Sequence, residues 1–378
     1  MTERFDACVV LNYYAPYISG LTQVARDVAE SLAGRGRRVA VVASRHHPDL
    51  PRREELGGVH VFRSRVAARI GRGVISPEFI GLAGRVARRS AVVNLHLPML
   101  EAGPVARAAG NTPIVCHHHD DVWLPGGALA SAQIAVVERS VAASLRRSAG
   151  VVVSNLDHAR DSRHWHLMRR RKVHEIPPPC RRRGLGRPSF RDGPGPHVGF
   201  LGRMAPEKGL HHLVAAFGHW PDPEARLLLA GEESGVAGGG VAAELRRLAD
   251  DDRRVRFLGR LDEAEFGDFH ASIDAFALPS VAEESFGITQ TEALMAGVPV
   301  VASDLPGMRV PVRTTGFGEL VPAGSPEGLA AALRRVCAWG DERRVRGAEA
   351  ARDTYSMEST LESYAEALDE AADRAAHR

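Results

Sequence analysis

The stretch PSVAEESFGITQTEALMAGVPVV, Pro279 to Val301, decides how the chain is read. Asp274 to Leu278, just ahead of it, is an apolar run of buried-strand length. Ser280 to Glu284 is polar and reads as a loop. Phe286 to Met295 has helical composition, and Ala296-Gly297 supplies a C-terminal stop. Val298 to Ala302 is apolar again and reads as the next strand. Two carboxylates, Glu284 and Glu292, stand eight positions apart, which is about 12 Å if the interval were helical. That spacing does not suit an acid/base pair acting on one bond. It suits two contacts at opposite ends of an extended ligand. Between them, Ser285-Phe286-Gly287-Ile288 opens a helix, whose free amides and positive dipole end favour an anion. A ligand with hydroxyls at both ends and phosphates in the middle, a nucleotide sugar, fits this order.

The run resembles the donor-binding signature of the retaining glycosyltransferases of family 4, which have the GT-B fold. The matching residues are Glu284-Ser-Phe-Gly287 followed by Glu292-Ala-Leu-Met-Ala-Gly297-Val-Pro-Val300. A second match follows an apolar strand at His197–Leu201: Gly202-Arg203-Met-Ala-Pro-Glu-Lys208-Gly209 is similar to the family's Gly-Arg-x(4)-Lys-Gly motif. A guanidinium grips two phosphate oxygens as a fork and an ammonium acts as a point charge. Fixed cations of this kind can stabilise a departing diphosphate without a metal. Lys208 stands out because the chain has only one other lysine, Lys172.

The resemblance implies an α/β protein with the GT-B architecture, two doubly wound Rossmann-like domains facing a cleft. It implies donor-diphosphate contacts for Arg203 and Lys208, ribose contacts for Glu292, and contacts to the transferred sugar for Glu284. Gly231 and Glu232 close one strand, and Leu261 follows the next; the family places ribose and base near these turns. In the N-terminal half, the loop to Gly20 joins the first strand to the first helix, where glycine allows a ligand close to the backbone. Family members often have two glycines there, whereas this chain has Ser19-Gly20, and a helix start without ligand is the other reading. The family's His-x-Asp pattern points to His118, with Asp120 after it, as the imidazole near the reacting sugar. His119 is the alternative if the register slips. His96 also ends a strand, either lining the same cleft or serving as a structural residue.

The βαβ rhythm runs twice, which argues for parallel sheets covered by helices. Strands are expected from Phe5, Arg38, Val59, Ala91, Pro113, Gly150 and Val173. A Pro-, Gly- and Arg-rich stretch, Pro177 to Pro196, reads as a linker. Beyond it, strands are expected at His197–Leu201, Arg226–Ala230, Val255–Leu258, Ala275–Leu278 and Val298–Ser303. The expected domains are 1–180, binding the acceptor, and 181–356, binding the nucleotide sugar. The helix 357–378 is expected, by resemblance, to cross back onto the first.

Composition excludes several classes. Net charge is +3 with 25% charged residues, so charge does not call for nucleic acid. No apolar stretch reaches membrane-spanning length, and the N-terminus lacks a signal-peptide pattern, so a cytoplasmic location is expected. Membrane-surface association stays open. Cys8, Cys116, Cys180 and Cys337 lack metal or redox-pair spacing and read as reduced structural thiols. His117-His118-His119 tempts a metal reading, but adjacent strand side chains point to opposite faces, so no metal is expected. Asp250-Asp251-Asp252 reads as a solvated helix end. Arg169 to Lys172 and Arg181 to Arg183 read first as solvated charge.

The expected activity is metal-independent, retaining transfer of a sugar from a nucleoside-diphosphate sugar to an acceptor hydroxyl or similar nucleophile, with no cofactor. Secondary-metabolite and cell-surface glycan synthesis are both compatible settings. The acceptor stays open among polysaccharide, lipid-linked and small-metabolite classes. A nucleotide-sugar epimerase and a non-catalytic nucleotide-sugar-binding protein share the architecture and are the alternatives. A dehydrogenase is disfavoured, because no complete Gly-x-Gly-x-x-Gly opens the first strand–helix turn.

Overall fold

The computed structural model describes residues 3–70, 73–123, 126–184, 186–233, 240–249, 252–282 and 284–377. Asp250 and Asp251 of the acidic run lie outside them, as do Met1 and Thr2. The chain divides into two units, residues 1–179 with 358–378, and residues 180–357.

The first unit is built on an eight-stranded sheet. Its strands are β1 (Phe5–Val10), β2 (Val39–Ser44), β3 (Arg53–Leu56), β4 (Val59–Ser64), β7 (Ser90–Leu97), β8 (Ile114–His118), β9 (Gly150–Val153) and β10 (Lys172–Glu175), while β5 (Ala68–Ile70) and β6 (Gly73–Ile75) form a separate hairpin. The order is β10-β9-β8-β7-β1-β2-β4-β3, parallel except for the edge strand β3. Strands β1, β2 and β9 are almost wholly buried apolar runs, as expected where helices cover both faces. The chain leaves β1 for β2 on one side and reaches β7 on the other, so the order reverses between β1 and β7.

Several elements here escaped the sequence pattern, among them β3, the hairpin, and the helices Pro77–Ala87 and Ala102–Ala108. Strand β3, Arg-Glu-Glu-Leu, pairs on one side only and carries polar residues to solvent, so it lacks the apolar run that marks a central strand.

The last helix, Met357–Ala376, packs on this unit from Glu358 onward. Tyr364, Ala365, Ala367, Leu368 and Ala371 form its buried stripe. Asp369 takes both Arg37 guanidinium nitrogens, and Glu370 pairs with Lys172.

The second unit is a six-stranded parallel sheet. Its strands are β11 (His197–Leu201), β12 (Arg226–Ala230), β13 (Val255–Gly259), β14 (Ala275–Leu278), β15 (Val300–Ser303) and β16 (Gly318–Val321), in the order β13-β12-β11-β14-β15-β16. Here the order reverses between β11 and β14. Open α/β sheets bind ligands at such a reversal, beyond the carboxyl ends of the strands. Phe200, Phe217, Phe269, Phe276 and Phe317 fill the core of this unit.

The segment that opens the unit is not a free linker. Cys180 is buried, the Arg181 amide donates to Glu292 Oε1, and the Phe190 amide donates to Ser272 Oγ. All four cysteines are free, and burial pushes the thiols of Cys8, Cys116 and Cys337 up to about 12.

Candidate active site at the carboxyl edge of the second sheet

Four strand ends of the second unit carry the residues singled out above. Gly202 and Arg203 follow β11, Gly231 and Glu232 follow β12, Leu261 lies two residues past β13, which ends at Gly259, and Glu284 follows β14. Their loops are bound to one another by backbone. The Gly202 amide donates to Ala230, the Met204 amide to Glu232, and the Gly231 amide to Gly259. Gly231 sits at φ +135°, and a Cβ there would lie 1.8 Å from the Gly202 carbonyl oxygen. Only glycine permits that approach.

Arg203 and Lys208 are set by a short 3-10 turn, Pro206–Lys208, which ends at Gly209 with φ +62°. A Cβ on Gly209 would lie 2.2 Å from the Pro279 carbonyl, so this turn is pressed directly against the loop after β14. The Val281 amide donates to the Glu207 carbonyl across the same seam. As a result Lys208 Nζ meets Glu284 Oε2 in an ion pair, although 76 positions separate them in sequence. Arg203 Nη2 lies 3.1 Å from Glu207 Oε1 and keeps 41% side-chain exposure. Glu284 also bridges in parallel to Gly307.

The helix begins at Ile288, later than the composition suggested, with Gly287 as its N-cap and no side-chain cap. Phe286 is a packing residue, 2% exposed and edge-on to Tyr355. Ser285 and Ile288 are half-buried beside it, and Leu261 is buried.

Glu292 is the departure with most consequence. Its carboxylate is buried and already engaged. Arg183 donates Nε to Oε2 and Nη2 to Oε1, each at 3.1 Å, and the Arg181 amide adds a third bond. The Arg183 guanidinium lies 4.6 Å over the Phe266 ring. Burial pushes the Glu292 carboxyl above its usual range, and Arg183 pulls it back only in part. The reading of Arg181 to Arg183 as solvated charge is therefore corrected for Arg183. A buried carboxylate recruits the nearest fork-shaped donor.

In the first unit, Gly20 is exposed at the start of the helix Gly20–Gly34, whose N-terminus is capped by its own Ser19 hydroxyl. His118 is 2% exposed and lies with its Nε2 3.2 Å from Asp121 Oδ1 and its ring edge-on to His164. The expectation of a substrate-facing ring at His118 thus meets a buried one. His119, the alternative, is the half-buried member of the run.

The comparisons agree with this fold. Residues 187–354 match the model for glycosyl transferases group 1, and residues 19–179 match the glycosyl transferase 4-like domain. The fold and the two matches define a glycosyltransferase architecture of the GT-B type. The chain belongs to the family 4-type glycosyltransferases.

Among curated relatives it is similar to a phosphatidyl-myo-inositol mannosyltransferase of Mycolicibacterium smegmatis, 37% identical over 40% of each chain. It is also similar to a D-inositol 3-phosphate glycosyltransferase of Corynebacterium urealyticum, 34% identical over 45% of this chain and 42% of that one. The match thus spans about two fifths of the length of these relatives. Among solved structures, sucrose-phosphate synthase from Thermosynechococcus elongatus shares the fold at TM-score 0.76 and 20% identity, covering 97% of this chain and 99% of that chain. Anabaena HepE, solved with UDP-glucose, does so at TM-score 0.71 and 18% identity, covering 97% and 100%.

Proposed function

We propose that the protein transfers a sugar from a nucleoside-diphosphate sugar to an acceptor hydroxyl, with retention of anomeric configuration. The observation that carries the proposal is the meeting of Lys208 and Glu284 at the reversal of the second sheet. A cation for a diphosphate and a carboxylate for sugar hydroxyls converge where an α/β sheet binds its ligand.

In this reading Arg203 and Lys208 hold the diphosphate and stabilise the charge that grows on it as the glycosidic bond breaks. Glu284 accepts hydrogen bonds from the transferred sugar. Gly231, Glu232 and Leu261 border the nucleoside, and the amides from Ser285 to Ile288 face the phosphates. Glu292 takes the ribose hydroxyls once Arg183 gives way. Retention follows from front-face attack, in which the leaving diphosphate accepts the acceptor's proton. His118 positions the loop that follows β8 through Asp121.

The relatives named above act, by their names, on inositol phosphates. A free and a lipid-linked inositol phosphate are therefore the first acceptors to try. The test offers UDP-, GDP- and ADP-sugars with these acceptors and follows nucleoside diphosphate release and product anomer. Transfer with retention is expected, and Arg203→Ala with Lys208→Ala should reduce the rate at least about 100-fold. Release that needs no acceptor, with an altered sugar still on the nucleotide, would instead favour an epimerase. Inversion, or a rate untouched by the double substitution, would refute the proposal.

A further inference from the structure

Strands β7 and β8 are parallel neighbours, and His96 stands opposite His117 in their register. His119 is two positions beyond His117, so its side chain returns to the same face. The three consecutive histidines do not converge, because His118 points away to Asp121. His117 and His119 do converge, with His96 as the third member. One ring nitrogen from each lies within 4.8 Å of the others. The His117 and His119 rings stack at 3.9 Å, and His96 lies 4.9 and 5.0 Å from them.

The proton on His96 can be placed. The Asn94 amide donates to the Val115 carbonyl, which turns Asn94 Oδ1 toward His96 Nε2 at 2.9 Å. An amide oxygen only accepts, so Nε2 carries the hydrogen and Nδ1 is left as a bare lone pair. That lone pair points at His119 Nε2, 2.8 Å away. His117 Nδ1 is buried with no hydrogen-bond partner among the described residues, while its Nε2 lies 3.3 Å from the Tyr364 hydroxyl. A buried nitrogen without a partner is costly unless something completes it.

We propose that His96, His117 and His119 form a binding site for a divalent transition-metal ion of the zinc type. Three imidazoles without a carboxylate suit Zn²⁺, Co²⁺, Ni²⁺ or Cu²⁺ and not Mg²⁺ or Ca²⁺, which need oxygen ligands. Asp120 and Asp121 are directed to His158 and His118 instead. Zinc-bound nitrogens lie about 3.3 Å apart in a tetrahedral site, so on binding the stacked His117 and His119 rings turn to direct their lone pairs at one ion. Asn94 behind His96 and Tyr364 beside His117 supply outer partners of the kind that fix metal-bound imidazoles. The ion would join the ends of β7 and β8 to the last helix. It lies on residues other than Arg203, Lys208 and Glu284, and this inference does not rest on the transferase reading.

The test uses the full chain without an affinity tag. Co²⁺ is titrated and followed by its visible d–d absorption, and Zn²⁺ by calorimetry. One equivalent should bind with half-saturation at about 1 µM or below. His119→Ala and His96→Ala should each weaken binding at least tenfold. His211→Ala, in another pair of neighbouring rings, should leave it unchanged. Circular dichroism confirms folding; if His96→Ala does not fold, the half-buried His119 variant decides alone. Binding that survives His119→Ala, or no saturable cobalt spectrum, would overturn the site.

Discussion

Arg183 grips the Glu292 carboxylate with two parallel hydrogen bonds of 3.1 Å, across 109 positions of sequence. The pair is nearly enclosed, with side-chain exposures of 14% and 5%. Lys208 and Glu284 form the equivalent pair at the other end of the proposed donor site. The site's charges therefore pair with one another, and in the proposed reading a donor exchanges partners with them.

The first prediction concerns that pair. Arg183→Ala leaves a buried carboxylate without its partner and should lower stability by about 3 kcal/mol. Glu292→Gln should cost less, because the amide oxygen still accepts from Arg183 and the guanidinium keeps Glu263 as a second partner. The double variant should lose less than the sum, which thermal unfolding of the four proteins measures.

How much of this was legible in the sequence follows from range. Strands β11, β12 and β14 could be read to the residue, since each is a short buried run between turns. Arg203 and Glu284 could be placed at the sheet edge because each follows such a strand, while Lys208 was marked by the family motif that begins at Gly202. The Arg183–Glu292 pair could not, since nothing local marks an arginine in a Pro- and Gly-rich segment as the partner of a distant helix. The His96, His117 and His119 set was hidden for a related reason. It depends on which strand lies beside β8, and only the sheet order supplies that.

A second prediction tests the seam between the β11 and β12 loops. Gly231→Ala puts a Cβ against the Gly202 carbonyl at a φ that other residues rarely adopt. It should destabilise the protein by about 3 kcal/mol or more. Gly218→Ala, with open space at its Cβ, should leave the melting temperature nearly unchanged.

Stability should also report on His270. Burial pushes its pKa down from 6.5 to about 4, with Arg183 adding to the effect. The folded ring stays neutral to about pH 4, whereas the unfolded ring takes up a proton below about 6.5. The unfolded state thus holds more protons in that window, and stability falls as pH falls through it. The full loss is roughly 3 kcal/mol. Unfolding curves between pH 7 and pH 4 should show a steeper decline for the native protein than for His270→Gln.

The last helix offers a contrast between packing and charge. Tyr364 is 1% exposed, and Tyr364→Ala should cost about 3–5 kcal/mol. Lys172→Ala breaks an exposed pair with Glu370 and should cost under about 1 kcal/mol. Denaturant midpoints of the two variants check the ranking.

The central claim is that the carboxyl edge of the second sheet binds a nucleoside diphosphate through Lys208 and Arg203. Calorimetric titration with UDP, GDP and ADP, in the presence of a chelator, tests it most directly. One diphosphate should bind the native protein without metal, and Lys208→Ala should weaken that binding at least tenfold. If none of the three binds, or if Lys208→Ala binds as the native protein does, the account of this site is wrong.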